Sequence, residues 1–236
     1  MGMRVNPAKM TDNQLRFFRP ILSGVHFSDR LLACLGAAMG IAVAIAICAC
    51  LPLTAPDLPL VVAPLGASAV LMFAVPASPL AQPWPVIGGN IISALVGVAT
   101  FKLIPHELLA AGIAVGAAIL VMSLLRCLHP PGGASALTAV IGSEAIHTTG
   151  FEFALLPVGI NSISLVLVGM LFHRFTSHSY PHRAVRVADA GLHLTDIDAA
   201  LEDMHESFDI SREDLDALLS RAELHAARRK EKSARG

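Results

Sequence analysis

The sequence predicts an all-α, polytopic membrane helix bundle with four clear spans, two short helices interrupted by Gly and Pro, and a soluble helical tail. Three observations carry this. Of the 236 residues, 54% are hydrophobic and only 15% charged, against roughly 25% charged in soluble domains. Between Leu31 and Phe175 the only charged side chains are Asp57, Lys102, Glu107, Arg126, Glu144, Glu152 and Arg174. The apolar region is also cut twice by similar Gly/Pro motifs. The chain therefore divides into an N-terminal tail (1–30), a transmembrane domain (31–175) and a C-terminal helical tail (176–236).

Residues 1–30 carry Arg4, Lys9, Arg16, Arg19 and Arg30 against Asp12 and Asp29. They lack the early apolar core of a secretory signal. Residues 31–51 form an unbroken apolar run of about the ~20 residues a helix needs to cross a bilayer. Within it Gly36 and Gly40 are spaced for close helix approach. Pro52, Pro56 and Pro59 stop that helix. Residues 58–76 are apolar but broken at Pro64-Leu65-Gly66-Ala67-Ser68, with a helix able to restart after Pro64 and run to about Val75. Pro76, Pro79, Pro83 and Pro85 suggest a rigid, non-helical connection, and its Trp84 suits a membrane–water interface. Further spans are predicted over 86–104 and 108–127, the latter with Gly112 and Gly116 again four apart. His129-Pro130-Pro131-Gly132-Gly133 then interrupts the chain before a short apolar segment, 133–142. A polar loop over 143–152 leads to the last span, 153–173. In the tail, Thr195 can cap one helix and Ser211-Arg212-Glu213-Asp214 opens another in the manner of a capping box. Two such helices cannot bury much core alone, so they are expected to dock on a neighbour or another subunit, which admits a homo-oligomer.

The three membrane segments before Lys102 parallel the three after it. Leu31-Leu32-Ala33 matches Leu108-Leu109-Ala110, Pro64 to Ala69 matches Pro131 to Ala136, and Asn90 and Ser93 match Asn161 and Ser164. Paired, interrupted segments in two repeats point to a binding site between them. Basic residues crowd both ends, so both termini are expected in the cytoplasm and the number of spans should be even. The short segments are either both re-entrant, giving four spans, or both crossing, giving six. The second segment is short for a crossing at ~1.5 Å per residue, which favours the re-entrant arrangement.

A helix starting at Gly66 or Gly133 aims unpaired N–H groups and a positive dipole end at the break. Two such ends facing each other would cradle a small anion. The candidate binding residues are Gly66, Ala67, Ser68, Asn90, Arg126, His129, Gly132, Gly133, Ser135 and Asn161. Structural alternatives exist for each: Pro-Gly-Gly as a plain turn, Arg126 snorkelling to the interface, His129 satisfied by a carbonyl, and the asparagines as inter-helix glue. His173, His178 and His182 read as a solvated tail rather than a metal site. The four cysteines lie in apolar runs and read as buried small hydrophobes, without disulfides. No cofactor or metal is expected, a net charge of −1 gives no reason to expect nucleic acid, and no catalytic set suggests an enzyme.

The stretch His129-Pro130-Pro131-Gly132-Gly133-Ala134-Ser135-Ala136-Leu137, with Pro64-Leu65-Gly66-Ala67-Ser68-Ala69 upstream, resembles the HPP family of integral membrane proteins over about residues 20–175. The resemblance implies four transmembrane helices and, through plastid and cyanobacterial members, transport of nitrite or a related small inorganic anion. It also implies a bacterial-type protein of the inner membrane. Many bacterial relatives continue into nucleotide-sensing CBS domains; this sequence runs only to Gly236, so nucleotide regulation is not expected unless a separate regulatory chain supplies it. The competing expectation is a membrane anchor or signalling module that presents its C-terminal helices to a partner.

Overall fold

The structure is a computed structural model that describes residues 27–50, 62–176, 178–183, 194–204 and 209–234. Most of the predicted N-terminal tail and the proline-rich residues 51–61 lie outside these. Among the described residues there are helices and no strand. They are α1 (Phe27–Ala49), α2 (Pro64–Ala74), α3 (Pro83–Leu103), α4 (Glu107–Leu124), α5 (Pro130–Ile141), α6 (Glu144–Thr149), α7 (Ala154–His173), α8 (Leu194–Met204) and α9 (Arg212–Ala234), with one 3-10 turn at Pro79–Ala81 between α2 and α3. Of these, α1, α3, α4 and α7 are long and apolar enough to cross a membrane.

Proline shapes the helix starts differently from the expectation. Pro83 and Pro85 lie in the first turn of α3, and Pro130 and Pro131 in the first turn of α5. The first-turn N–H groups have no intrahelical partner, so proline is tolerated there. The prolines therefore open these helices instead of holding the chain out of them. The expected polar loop at 143–152 also contains the short helix α6.

The long helices pack through small residues. In α1 the buried stripe is Gly36, Gly40, Ala44 and Cys48; in α4 it is Ala110, Ala114, Ala118 and Met122. Each stripe repeats every four residues, close to the helical period. Apolar solvent gives no hydrophobic drive between helices, so close packing of small side chains has to hold them. Gly112 and Gly116, matched to Gly36 and Gly40 by sequence, face away from the other described residues, with open space among these where a Cβ would sit. The equivalent register is thus Ala110 and Ala114. Cys48 and Cys127 are buried but Cys34 and Cys50 are exposed, and all four are free thiols.

The contacts fix the direction of each element. Gly36 lies beside Phe172 and Gly40 beside Leu165, while Cys48 meets Asn161, so α1 and α7 are antiparallel. His173 Nε2 lies 3.1 Å from Met72 O, so α2 ends where α1 begins and α7 ends. This end also holds the start of α3, through Tyr180 Oη donating to Ala81 O (2.9 Å), and the end of α4, through Trp84 Nε1 donating to Leu125 O (3.2 Å). From there α5 runs alongside α3: Gly132 faces Gly89 and Ser93, and Ala139 faces Gly97. At the opposite end His147 stacks on Phe101 and Lys102 sits over Phe151.

The elements α1, α2 and α3 therefore run up, down and up, and α4, α5 and α7 run down, up and down. Neither short helix returns the chain to the end it left: at each of them the chain passes from one end of the bundle to the other, the direction of the crossing alternative, although only four helices are long enough to span. The two triplets have inverted topology. Each short helix packs on the first helix of its own triplet and the last of the other: α2 on α1 and α7, α5 on α4 and α3. With 11 and 12 residues, α2 and α5 reach only ~16–18 Å at ~1.5 Å per residue, about half the ~30 Å hydrocarbon core.

The tail folds back on its own chain. Ser78 Oγ donates to both carboxylate oxygens of Asp209 (2.8 and 3.0 Å). His182 N–H donates to Gln82 Oε1 (2.9 Å), and its ring Nε2 lies 2.7 Å from Asp214. Ser211 caps α9 by accepting from Asp214 N–H (3.1 Å), as its capping-box pattern predicts.

Candidate functional site

The first turns of α2 and α5 meet in the interior at a chain of buried polar side chains. Ser68, His129 and Ser135 have no exposed surface, and Asn90 is 2% exposed. Ser135 Oγ donates to Asn90 Oδ1 (2.8 Å). Asn90 Nδ2 donates to Ser68 Oγ (3.2 Å) and to Val86 O (2.9 Å). Ser68 Oγ lies 2.8 Å from His129 Nε2, and His129 Nδ1 lies 2.8 Å from Leu80 O. A carbonyl can only accept, so Nδ1 carries the ring proton, and in the neutral ring Nε2 accepts from the Ser68 hydroxyl.

Local sequence explains how these groups converge. Gly89 and Gly132 let α3 and α5 approach: a Cβ on Gly132 would come within 2.8 Å of Gly89 O and of Ser93 Oγ. That contact brings Asn90, on α3, against the face of α5 that carries Ser135. His129 occupies the position just before α5 in extended backbone, so its ring leaves the helix and crosses to α2.

Sequence reasoning missed two members. Ser93 is fully buried, and its hydroxyl has no partner among the described residues. Its place beside Asn90 in the repeated motif was the available signal. Leu80, which orients His129 through its backbone, left no signal, because any residue supplies a carbonyl.

Other expected members lie elsewhere. Arg126 is exposed, in the left-handed region at φ 54°. Gly66 and Ala67 are exposed on α2. Gly133 is half-buried. Asn161 repeats the local geometry of Asn90, donating to the carbonyl four residues back (Pro157 O, 2.7 Å), but it faces Cys48 Sγ of α1 at 3.3 Å. The expected cradle of free amides is also largely closed. Leu65, Gly66 and Gly132 donate to Val62, Ala63 and His129 carbonyls, and Pro64, Pro130 and Pro131 have no N–H to give. Side chains, not backbone, are the donors at this site.

His173 departs from the solvated-tail reading. It is 5% exposed, bonded to Met72 O and near Thr176 Oγ1 (3.1 Å). No group of three or more His, Cys, Asp or Glu placed to hold a metal occurs among the described residues.

The family described as HPP, transmembrane region, matches residues 23–181, from just before α1 to just past Tyr180. The chain belongs to the HPP transmembrane family. Two transmembrane proteins of Dictyostelium discoideum are similar to it: one is 39% identical and the other 38%, each over 121 residues. The matched part is 49% of this chain but only 42% and 39% of those proteins, so the chain spans less than half of their length. No solved structure matches. The HPP region includes the whole Ser68–Asn90–His129–Ser135 cluster and both triplets, whereas α8 and α9 fall outside it. The chain is thus an integral membrane protein of this family.

Proposed function

We propose that the protein is a transporter, not an enzyme, for a small inorganic anion of the nitrite and nitrate class. The observation that carries this reading is the buried Ser68–Asn90–His129–Ser135 cluster where the first turns of two antiparallel half-length helices meet. Inverted repeats with discontinuous segments place substrate sites at their interface in many transporters. Polar residues buried within membrane helices are costly and mark substrate paths. Ser93 adds an unused donor beside Gly132, and both helix dipoles turn their positive ends toward the cluster. A planar oxyanion could accept from the Ser93 and Ser135 hydroxyls. The membrane in question is then the bacterial inner membrane, with both tails cytoplasmic.

The test is uptake of nitrite, nitrate, formate and chloride into proteoliposomes, repeated with Ser135→Ala. Uptake of nitrite or nitrate above that of empty liposomes, reduced in the variant, is the expected result. Uptake equal to empty liposomes for all four anions would sink the reading. A second reading, an anchor that presents α8 and α9 to a partner, draws on the exposed Leu218 and Leu224 of α9. Removing residues 190–236 separates the two: transport survives under the first and partner binding is lost under the second.

A further inference from the structure

We propose that His129 is the proton carrier of this site, taking up one proton at Nε2 for each anion bound, so that proton and anion move together. This rests on the anion-transport reading above and adds the co-substrate to it.

The argument starts from the two ring nitrogens. Nδ1 faces Leu80 O at 2.8 Å and keeps its proton in either state. Nε2 is therefore the position that gains or loses one. Its neighbour Ser68 Oγ has two acceptors in reach: Nε2 at 2.8 Å and Pro64 O at 3.3 Å. With a neutral ring the hydroxyl donates to Nε2. With a protonated ring Nε2–H donates to Ser68 Oγ, and the hydroxyl proton turns to Pro64 O. Asn90 Nδ2 donates into Ser68 Oγ in both cases, which a hydroxyl with two lone pairs allows. Rotation of one O–H thus satisfies both protonation states without moving a heavy atom. A histidine held only as structural glue does not require such an arrangement.

The charges then tie the proton to the anion. Among the described residues, the elements packed around His129 place no carboxylate near it. The segment 76–82 and helices α2 and α5 have no ionisable side chain. On α3 and α4 the ionisable groups, Lys102 and Glu107, sit at the far end. Cys127, beside it, is a buried thiol, and Arg126 is exposed. A buried imidazolium without a partner is costly, and the positive ends of two helices add to that cost. An anion among the hydroxyls would likewise lack a fixed counter-charge. Together they form a neutral pair, so each is the condition for the other. The cycle balances: neutral His129, one proton and one anion from one side give imidazolium with bound anion, and release of both on the other side restores the neutral ring. No bond within the anion changes.

The experiment uses full-length protein in proteoliposomes with nitrate as the probe, because nitrate has no membrane-permeant acid near neutral pH. Nitrate uptake and lumenal pH are recorded together, with the membrane potential clamped by potassium and valinomycin. The expected result is one proton per nitrate, no response to the clamped potential, and about tenfold accumulation sustained by a gradient of one pH unit, the ratio that 1.4 kcal/mol supports. His129→Gln should lose the gradient-driven accumulation. Nitrate uptake without proton movement, or uptake that follows the potential, overturns the carrier while leaving the transport reading intact. Coupled accumulation that survives in His129→Gln overturns the assignment to His129. Absence of uptake of any of the anions above empty liposomes overturns the transport reading itself. Wild-type stoichiometry decides the coupling even where His129→Gln does not fold.

Discussion

The hydrogen bond between Ser135 and Asn90 joins α5 to α3, and a double-mutant cycle measures it directly. Ser135 Oγ lies 2.8 Å from Asn90 Oδ1, and both residues are out of contact with the surroundings. Asn90→Ala removes three bonds, but their losses differ. Val86 O keeps its helical role, and Ser68 keeps His129 and Pro64 O as partners. Ser135 loses the partner it uses here. Hydrogen bonds between membrane helices average ~0.6 kcal/mol in such cycles and reach ~1.7. The short distance and full burial argue for the upper part of that range. Unfolding free energies of wild type, Asn90→Ala, Ser135→Ala and the double variant, measured by denaturant titration in mixed micelles, should give a coupling of about 1–1.7 kcal/mol. A control cycle pairs Asn90→Ala with Ser123→Ala, whose hydroxyl bonds only within exposed α4 at Ile119 O (2.7 Å). It should be additive within about 0.3–0.5 kcal/mol. Additivity of the Asn90/Ser135 pair to the same tolerance would refute the bond and with it the shape of the site.

Three further outcomes follow from the same geometry. Gly97→Val should destabilise by about 1–3 kcal/mol in the same titration, because a Cβ there meets the Ala136 carbonyl and lies 2.8 Å from Ala139 Cβ, and backbone cannot rotate away. Arg126→Gly should be neutral or stabilising by up to about 1 kcal/mol, since it removes a side chain from a left-handed backbone position (φ 54°) without touching the cluster; loss of anion uptake in this variant would return Arg126 to the site. Tyr180, the single tyrosine of the chain, has its phenol pushed up from the ordinary value of 10.0 by burial. A folded-state value above the unfolded one means that its contribution is fully present below about pH 10 and is lost as pH rises beyond it. Phenolate absorbance should therefore stay silent at pH 10 in the folded protein and appear on unfolding; ordinary titration in the folded state would contradict the burial.

What the sequence made legible was whatever a period or a charge pattern encodes. Four long apolar runs, two broken ones and their repetition could be read from spacing alone, and Ser68, Asn90, His129 and Ser135 followed from the breaks and the repeat. The direction of the short helices could not be read that way. Length argued that the second could not cross a bilayer as a helix, and at 11 and 12 residues neither α2 nor α5 is long enough to do so. Yet α2 reaches the end where α1 begins, because Met72 and Phe73 pack against His173 and Gly36. Only such tertiary contacts distinguish an inverted triplet from a parallel one. The same limit explains Gly112 and Gly116: a small-residue pair fits a close contact but does not say which face of the helix has a neighbour.

The exact helix starts were misplaced for a related reason. Helices starting at Gly66 and Gly133 would present bare amides, but α2 starts at Pro64 and α5 at Pro130, and a proline in the first turn has no N–H to offer an anion. The site is accordingly built from side chains on three elements, brought together by Gly89 and Gly132. Its orientation comes from a fourth, the 76–82 segment, whose Leu80 carbonyl holds the His129 ring. That segment also receives Tyr180 at Ala81 and the tail at Ser78 and Gln82. The backbone that sets the histidine tautomer is thus clamped by residues far along the chain. A connection that reads in sequence as a proline-rich spacer is, in the folded protein, what ties the buried polar cluster to the soluble tail.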